Sequence, residues 1–277
     1  MASAVEVTGL EKHYGDVRAV DGISFSVGEG EVFGLLGHNG AGKTTTIRML
    51  TGRARPTRGT ATVAGYDIVN QRESIEPLIN AVFEDQNLYE RSSGRENLRL
   101  FAELYGVPAS RADELLELVG LTAAAKRKVK AYSSGMKQRL LVARALVNTP
   151  RVLFMDEPTR GLDPTSAREL RPLIARLADQ GTTVFLTTHY RADARAHALE
   201  TRGHSHVRRG NRAPRSRAHR HRPADRRALP QRATGVFVVE PDAAAGHRAG
   251  LSRSVCRCLT PSTWCSRHCR RARACGS

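Results

Sequence analysis

The 277-residue chain predicts an α/β fold in three parts. These are a core sheet carrying a phosphate loop, an N-terminal antiparallel β-subdomain and an inserted α-helical subdomain. Three observations lead there. GHNGAGKTT at 37–45 follows a short apolar run, VFGLLG, and precedes TTTIRMLTG, which places Ile47, Met49 and Leu50 at helical spacing. A second apolar run, VLFMDE at 152–157, ends in two acids, as a buried parallel strand does when it brings polar groups to its C-terminal end. Between them, from Arg95 to Gly120, apolar residues recur with helical period.

The elements follow in order. VEVTGL and ISFSV alternate apolar and polar residues, so they predict half-exposed strands of a small antiparallel sheet. GEGE at 28–31 turns the chain into the buried strand before the phosphate loop, and Gly52 closes the helix after it. GTATVAGYDI at 59–68 reads as another strand pair, and AVF at 81–83 as a core strand. Leu98, Phe101, Leu104 and Tyr105 line one helix, and a second runs from Ser110, as N-cap, to Gly120. A strand at 152–155, a helix over 164–179 and a strand at 183–187 complete the core.

The chemistry of the loop is legible in its residue types. Gly37, Gly42, Lys43 and Thr44 satisfy G-x-x-x-x-G-K-[ST]. Glycines let backbone N–H groups turn inward on a di- or triphosphate, the lysine reaches the outer phosphates, and the threonine hydroxyl ligates Mg²⁺. The loop also opens a helix, whose N-terminus favours anions. Asp156 is then placed to hold Mg²⁺, and Glu157 to take a proton from an attacking water.

YSSGMKQRL at 132–140 resembles the signature sequence of ATP-binding-cassette (ABC) ATPases, in a variant with Met136 at the last position. GLDP at 161–164 resembles the family's D-loop, TTHY at 187–190 its H-loop, and KHYG its adenine-stacking segment. The resemblance spans about residues 4–190. It implies a P-loop NTPase (RecA-like) core, ATP and Mg²⁺ as cofactors, and these roles. Tyr14 stacks on adenine. Gly37, Asn39, Gly40, Ala41, Gly42, Lys43, Thr44 and Thr45 cradle the phosphates, and Thr44 and Asp156 hold Mg²⁺. Glu157 is the base, and His189 contacts the terminal phosphate. Ser133, Gly135 and Asp163 complete the site of a second protomer in a head-to-tail dimer. The family's Q-loop glutamine is replaced by Glu84, with Gln86 two residues on; either is a weaker metal-ligand candidate. Asn80, where near members carry glycine, reads as ordinary drift. The helical lobe, about 87–148, corresponds to the part that docks on transmembrane permease subunits. FEDQNLYERSSGRENL, SSGMKQRL and TTHY look most like ATPase subunits of bacterial drug, antibiotic or lipid exporters. A peripheral protein on the cytoplasmic membrane face is expected. No run of 18 apolar residues occurs, and the N-terminus has no secretory apolar region.

Past residue 190 the composition changes. Residues 191–277 hold 20 Arg, no Lys and 5 acids, so +15 of the total +17 charge lies there. All five Cys, seven of the ten His and the single Trp do too. The leading expectation is a frameshifted C-terminus that is largely disordered, with GVFVVE at 235–240 its one strand. Rival readings are a basic tail for nucleic acid or anionic lipid, or zinc held by Cys256, Cys258, Cys265, His268, Cys269 and Cys275. The tail lacks interleaved aromatics and the cysteine spacing fits no common zinc module, so nucleic-acid binding and structural zinc are not expected. Two functional alternatives stand beside the exporter subunit: a soluble ABC ATPase acting on nucleic acid, and a destabilised, non-functional cassette.

Overall fold

The computed structural model describes residues 3–83, 88–189, 234–238 and 257–258. In chain order the elements are β1 (Ser3–Tyr14), β2 (Val17–Gly28), β3 (Val32–Leu36), α1 (Lys43–Leu50), β4 (Arg58–Val63), β5 (Tyr66–Asp67), α2 (Arg72–Ile75), β6 (Ile79–Val82), α3 (Gly94–Leu104), α4 (Arg111–Leu118), α5 (Ser134–Ala145), β7 (Val152–Met155), α6 (Pro164–Asp179), β8 (Thr183–Thr188), β9 (Thr234–Val238) and β10 (Arg257–Cys258). Glu84 and Gln86 lie outside the described residues, as does most of the segment expected to be disordered or zinc-binding.

Two sheets form. The antiparallel one runs β2-β1-β4-β5, and β1 and β2 are each 12 residues long, well beyond the alternating cores that predict them. Their extra length comes from register shifts along the pair, which let a strand continue where strict alternation fails. The second sheet runs β10-β9-β3-β8-β7-β6. Its strands β9, β3, β8, β7 and β6 pair in parallel, and β10 returns antiparallel on β9. The strand expected in the C-terminal segment therefore adds to the core sheet, with Val32–Leu36 in register against Thr234–Val238.

Every residue of β3, β7 and β8 is buried, because both faces of this sheet are covered. Strand alternation divides their side chains between two cores. Leu153, Met155, Val184 and Leu186 face the helices, packing in one cluster with Leu98, Leu115, Leu140 and Ile174. Phe33, Leu35, Phe154 and Phe185 face the other way, in a cluster with Leu10, Ile47 and Leu50. There Phe33 and Phe185 stack with centroids 5.1 Å apart, and Phe154 lies 5.5 Å from Phe185. Offset contacts of this kind add to the burial of the rings.

In the helical lobe, α3 and α4 both start within a residue of where the sequence puts them, but they are capped differently. α3 begins at Gly94 under a capping box: Ser93 Oγ accepts from Glu96 N–H at 3.2 Å, and Glu96 Oε2 accepts from Ser93 N–H at 2.6 Å. Ser110 sits at the N-cap of α4 with helical backbone angles, and its side chain makes no capping bond. Its carbonyl instead accepts from Asp113 and Glu114 N–H. Asn80 is more than drift. Its amide donates to Asn148 Oδ1 at 3.0 Å and to Tyr105 Oη at 3.3 Å, tying β6 to the helical lobe.

Candidate active site

Parallel strands share one C-terminal edge, and that is where the sequence-predicted residues meet. Leu36 pairs with Thr188, and Met155 with Leu186, so the chain leaves β3, β7 and β8 side by side. The phosphate loop follows β3, Asp156 and Glu157 follow β7, and His189 follows β8. Gly37 N–H donates to Thr188 O at 3.3 Å, which stitches the loop to the strand ahead of His189.

Within the loop, Gly42 precedes α1 with φ 82°, a left-handed conformation. A Cβ there would lie 2.1 Å from Ala19 O and 2.9 Å from Val20 Cγ2. Glycine is required both by the backbone angle and by β2 pressing against the loop. Asn39 and Gly40 are exposed, while Ala41, Thr44 and Thr45 are half-buried around the start of α1. The β1–β2 hairpin that supplies Ala19 also carries Tyr14, half exposed, with Lys12 Nζ 4.8 Å from its ring centre.

Lys43 is 6 % exposed, and its ammonium donates to Gly37 O at 2.8 Å and His38 O at 3.1 Å. It also pairs with Glu157 Oε1 at 3.0 Å. The other Glu157 oxygen lies 2.5 Å from His189 Nδ1. One buried carboxylate thus joins the loop lysine to the β8 histidine. A buried pair is stable only when its remaining hydrogen-bonding capacity is met, and here the loop carbonyls meet it.

Asp156 and Glu157 are joined by a residue with no role expected from sequence. Thr187, fully buried, donates from Oγ1 to Asp156 Oδ1 at 2.6 Å and accepts from Glu157 N–H at 3.0 Å. Glu157 adopts φ 50°, uncommon for a non-glycine residue. Two polar residues ending the otherwise apolar run VFLTT are the signal that marks this position in sequence.

Ser133, Gly135 and Asp163 form a second group on other elements. Ser133 caps α5, accepting from Met136 N–H at 3.2 Å. Asp163 caps α6, accepting from Thr165 and Ser166 N–H at 3.0 Å each and from Ser166 Oγ at 2.6 Å. The Ser166 hydroxyl, then the Ser166 and Thr165 amides, hold the Asp163 carboxyl below the usual carboxylate range. The two helix starts touch: a Cβ on Gly135 would lie 2.2 Å from Ser166 Oγ and 2.6 Å from its Cβ.

Thr44 and Asp156 supply a hydroxyl and a carboxylate oxygen, a hard donor set that suits Mg²⁺.

Comparison with known proteins identifies the family. The ABC transporter family model matches residues 20–160. The daunorubicin resistance ATP-binding protein DrrA3 of Streptomyces coeruleorubidus is 43% identical over 196 residues, covering 69% of this chain and 62% of that protein. The bacitracin transport ATP-binding protein BcrA of Bacillus licheniformis is 42% identical, covering 68% and 62%. The chain thus spans less than two thirds of the length of these relatives. Among solved structures, cbiO1 from Clostridium perfringens, part of the ABC transporter complex cbiONQ, superposes with TM-score 0.64 at 29% identity, covering 69% of this chain and 80% of that one. A nucleotide-free ATP-binding cassette from an ABC transporter gives 0.63 at 25% identity, covering 69% and 83%.

Proposed function

This chain belongs to the ABC transporter family, and on that premise we propose that it is the ATP-binding, ATP-hydrolysing subunit of an exporter for a drug, antibiotic or lipid. Separate transmembrane permease subunits carry the substrate. The observation that carries this reading is the Lys43–Glu157–His189 chain at the end of the parallel sheet. It places a buried carboxylate between a phosphate-binding cation and an imidazole.

The residues divide the work as follows. Gly37 to Thr45 cradle the phosphates with backbone N–H groups at the start of α1, and Tyr14 stacks on the adenine. A phosphate oxygen competes with Glu157 for Lys43, whose charge is better neutralised by a multiply charged anion. Glu157, released from Lys43, accepts the proton of a water in line with the terminal phosphate. His189 donates to the charge that develops there. Thr44 and Asp156 hold Mg²⁺, which when bound neutralises the phosphate oxygens.

Ser133, Gly135 and Asp163 serve the partner's nucleotide in a head-to-tail dimer, and the helical lobe docks on the permease. The subunit's proposed place is peripheral, on the cytoplasmic face, and among the described residues no helix is long and apolar enough to cross a membrane. The catalytic motifs all lie within residues 1–190, and β9 extends the same core sheet from the segment beyond.

The test is Glu157→Gln in the full chain. ATP hydrolysis should fall by about 10²- to 10⁴-fold, the range for a general base, while ATP binding persists. Hydrolysis at the wild-type rate would remove Glu157 from the mechanism.

A further inference from the structure

We infer that Thr187 is a positioning residue of the ATPase site: its single hydroxyl sets the direction of Asp156 and holds the backbone of Glu157 in its left-handed turn. This rests on the ATPase reading above and assigns a part in it to a residue outside the phosphate loop, the acid pair and His189.

The hydrogen-bond inventory of one hydroxyl makes the argument. An O–H has one proton to give and two lone pairs to accept with. Glu157 N–H donates to Thr187 Oγ1 at 3.0 Å, so that oxygen acts as acceptor there and its proton is left for another partner. The partner is Asp156 Oδ1 at 2.6 Å, a short bond of the kind a carboxylate makes with a hydroxyl. Asp156 Oδ1 is thereby engaged, which leaves Oδ2 as the carboxylate oxygen that would ligate Mg²⁺. Asp156 is further fixed by its own N–H, which donates to Val82 O at 2.8 Å.

The second bond supports a strained turn. Glu157 has φ 50°, and a non-glycine residue stays there only when its surroundings hold it. β8 and the residue after it hold it from both ends, through Thr187 at the amide and His189 at the carboxylate. Thr187 lies one residue from the end of β8 and His189 just past that end, and both side chains reach the acid pair. Water does not supply a substitute donor, because Thr187 is fully buried and Asp156 is 6 % exposed. An anion ligand depends on such supporting bonds for its orientation.

Two variants separate the hydroxyl from the packing. Thr187→Val keeps the shape and removes the hydroxyl; Thr187→Ser keeps the hydroxyl and removes a methyl. The full chain is read in two ways: ATP affinity with Mg²⁺ against ATP affinity in EDTA, and steady-state kcat and KM. Thr187→Val should keep its affinity in EDTA within about 2-fold, lose about 10-fold of the gain from Mg²⁺, and lose about 10- to 100-fold in kcat with little change in KM. Thr187→Ser should stay within about 3-fold of wild type in each. A purely structural threonine would lower the melting temperature and leave the Mg²⁺ gain unmoved. Wild-type behaviour of Thr187→Val in both readings overturns the assignment, and so does Thr187→Ser failing as badly as Thr187→Val. A wild-type chain with no Mg²⁺ gain overturns it too, since Asp156 then has no ion to be aimed at. A chain that shows the Mg²⁺ effect and its loss in Thr187→Val without turning over ATP refutes the hydrolytic reading and leaves Thr187 in its place.

Discussion

The two groups of site residues are built on opposite plans. Around the phosphate loop, Lys43, Glu157, His189, Asp156 and Thr187 satisfy one another across three strands, mostly buried. At the second group, Ser133 and Asp163 bond to the first turns of their own helices and are locally satisfied. The first group stores opposed charges that an incoming polyanion can rearrange. The second presents two adjoining helix starts, one of them carrying the Asp163 carboxylate. On the head-to-tail dimer proposed above, the first group holds the chain's own nucleotide and the second is the surface offered to the partner's.

That comparison breaks most easily at Gly42. Gly42→Ala puts a Cβ 2.1 Å from Ala19 O at φ 82°. We expect loss of ATP binding by the isolated chain and destabilisation by about 3 kcal/mol, read by nucleotide titration and thermal melting. ATP bound at wild-type affinity would mean that the loop does not depend on its seat against β2.

Gly135→Ala comes next. Its Cβ falls 2.6 Å from Ser166 Cβ, so α5 and α6 must part, at a cost of about 2 kcal/mol. Ser166→Gly in the same chain should recover part of that loss. On the proposed dimer, in which this surface serves the partner's nucleotide, ATP binding by a single chain should persist while hydrolysis falls. A loss of single-chain binding equal to that of Gly42→Ala would erase the distinction between the groups.

The smallest effect is at Asp163, through pH. Its carboxyl titrates below the usual range because the folded state hydrogen-bonds the charged form. Such a group stabilises the fold above the unfolded carboxylate range, and that stabilisation is lost as pH falls through the lowered folded value. Asp163→Asn keeps a cap and removes the titration. The melting temperature of wild type should exceed that of Asp163→Asn near neutral pH, and the gap should close in acid. A gap that stays constant with pH would show that the charge contributes nothing at α6.

Much of this protein was readable before any fold was known. α6 and β7 fall where the pattern puts them, and α1 ends at Leu50 with Gly52 just past its cap in a left-handed conformation, as helix-closing glycine chemistry predicts. Harder to read were features set by contacts distant in sequence. Ser110 has the residue type of a capping side chain yet does not cap, whereas Ser93 with Glu96 does. Asn80 looked incidental until Asn148 and Tyr105 came beside it. Thr187 stood inside a recognised motif with its role hidden.

The sequence by itself determined the phosphate loop, the acid pair, the histidine and the helix and strand order. Phosphate chemistry demands particular residue types at short spacing, and periodicity records which face of each element is buried. Tertiary structure alone decided which glycines are obligatory, how Glu157 is held between Lys43, His189 and Thr187, and that β9 pairs in parallel with β3. Those depend on atoms brought together from more than 20 residues away. Local pattern encodes how a segment folds, and long-range packing decides what it meets.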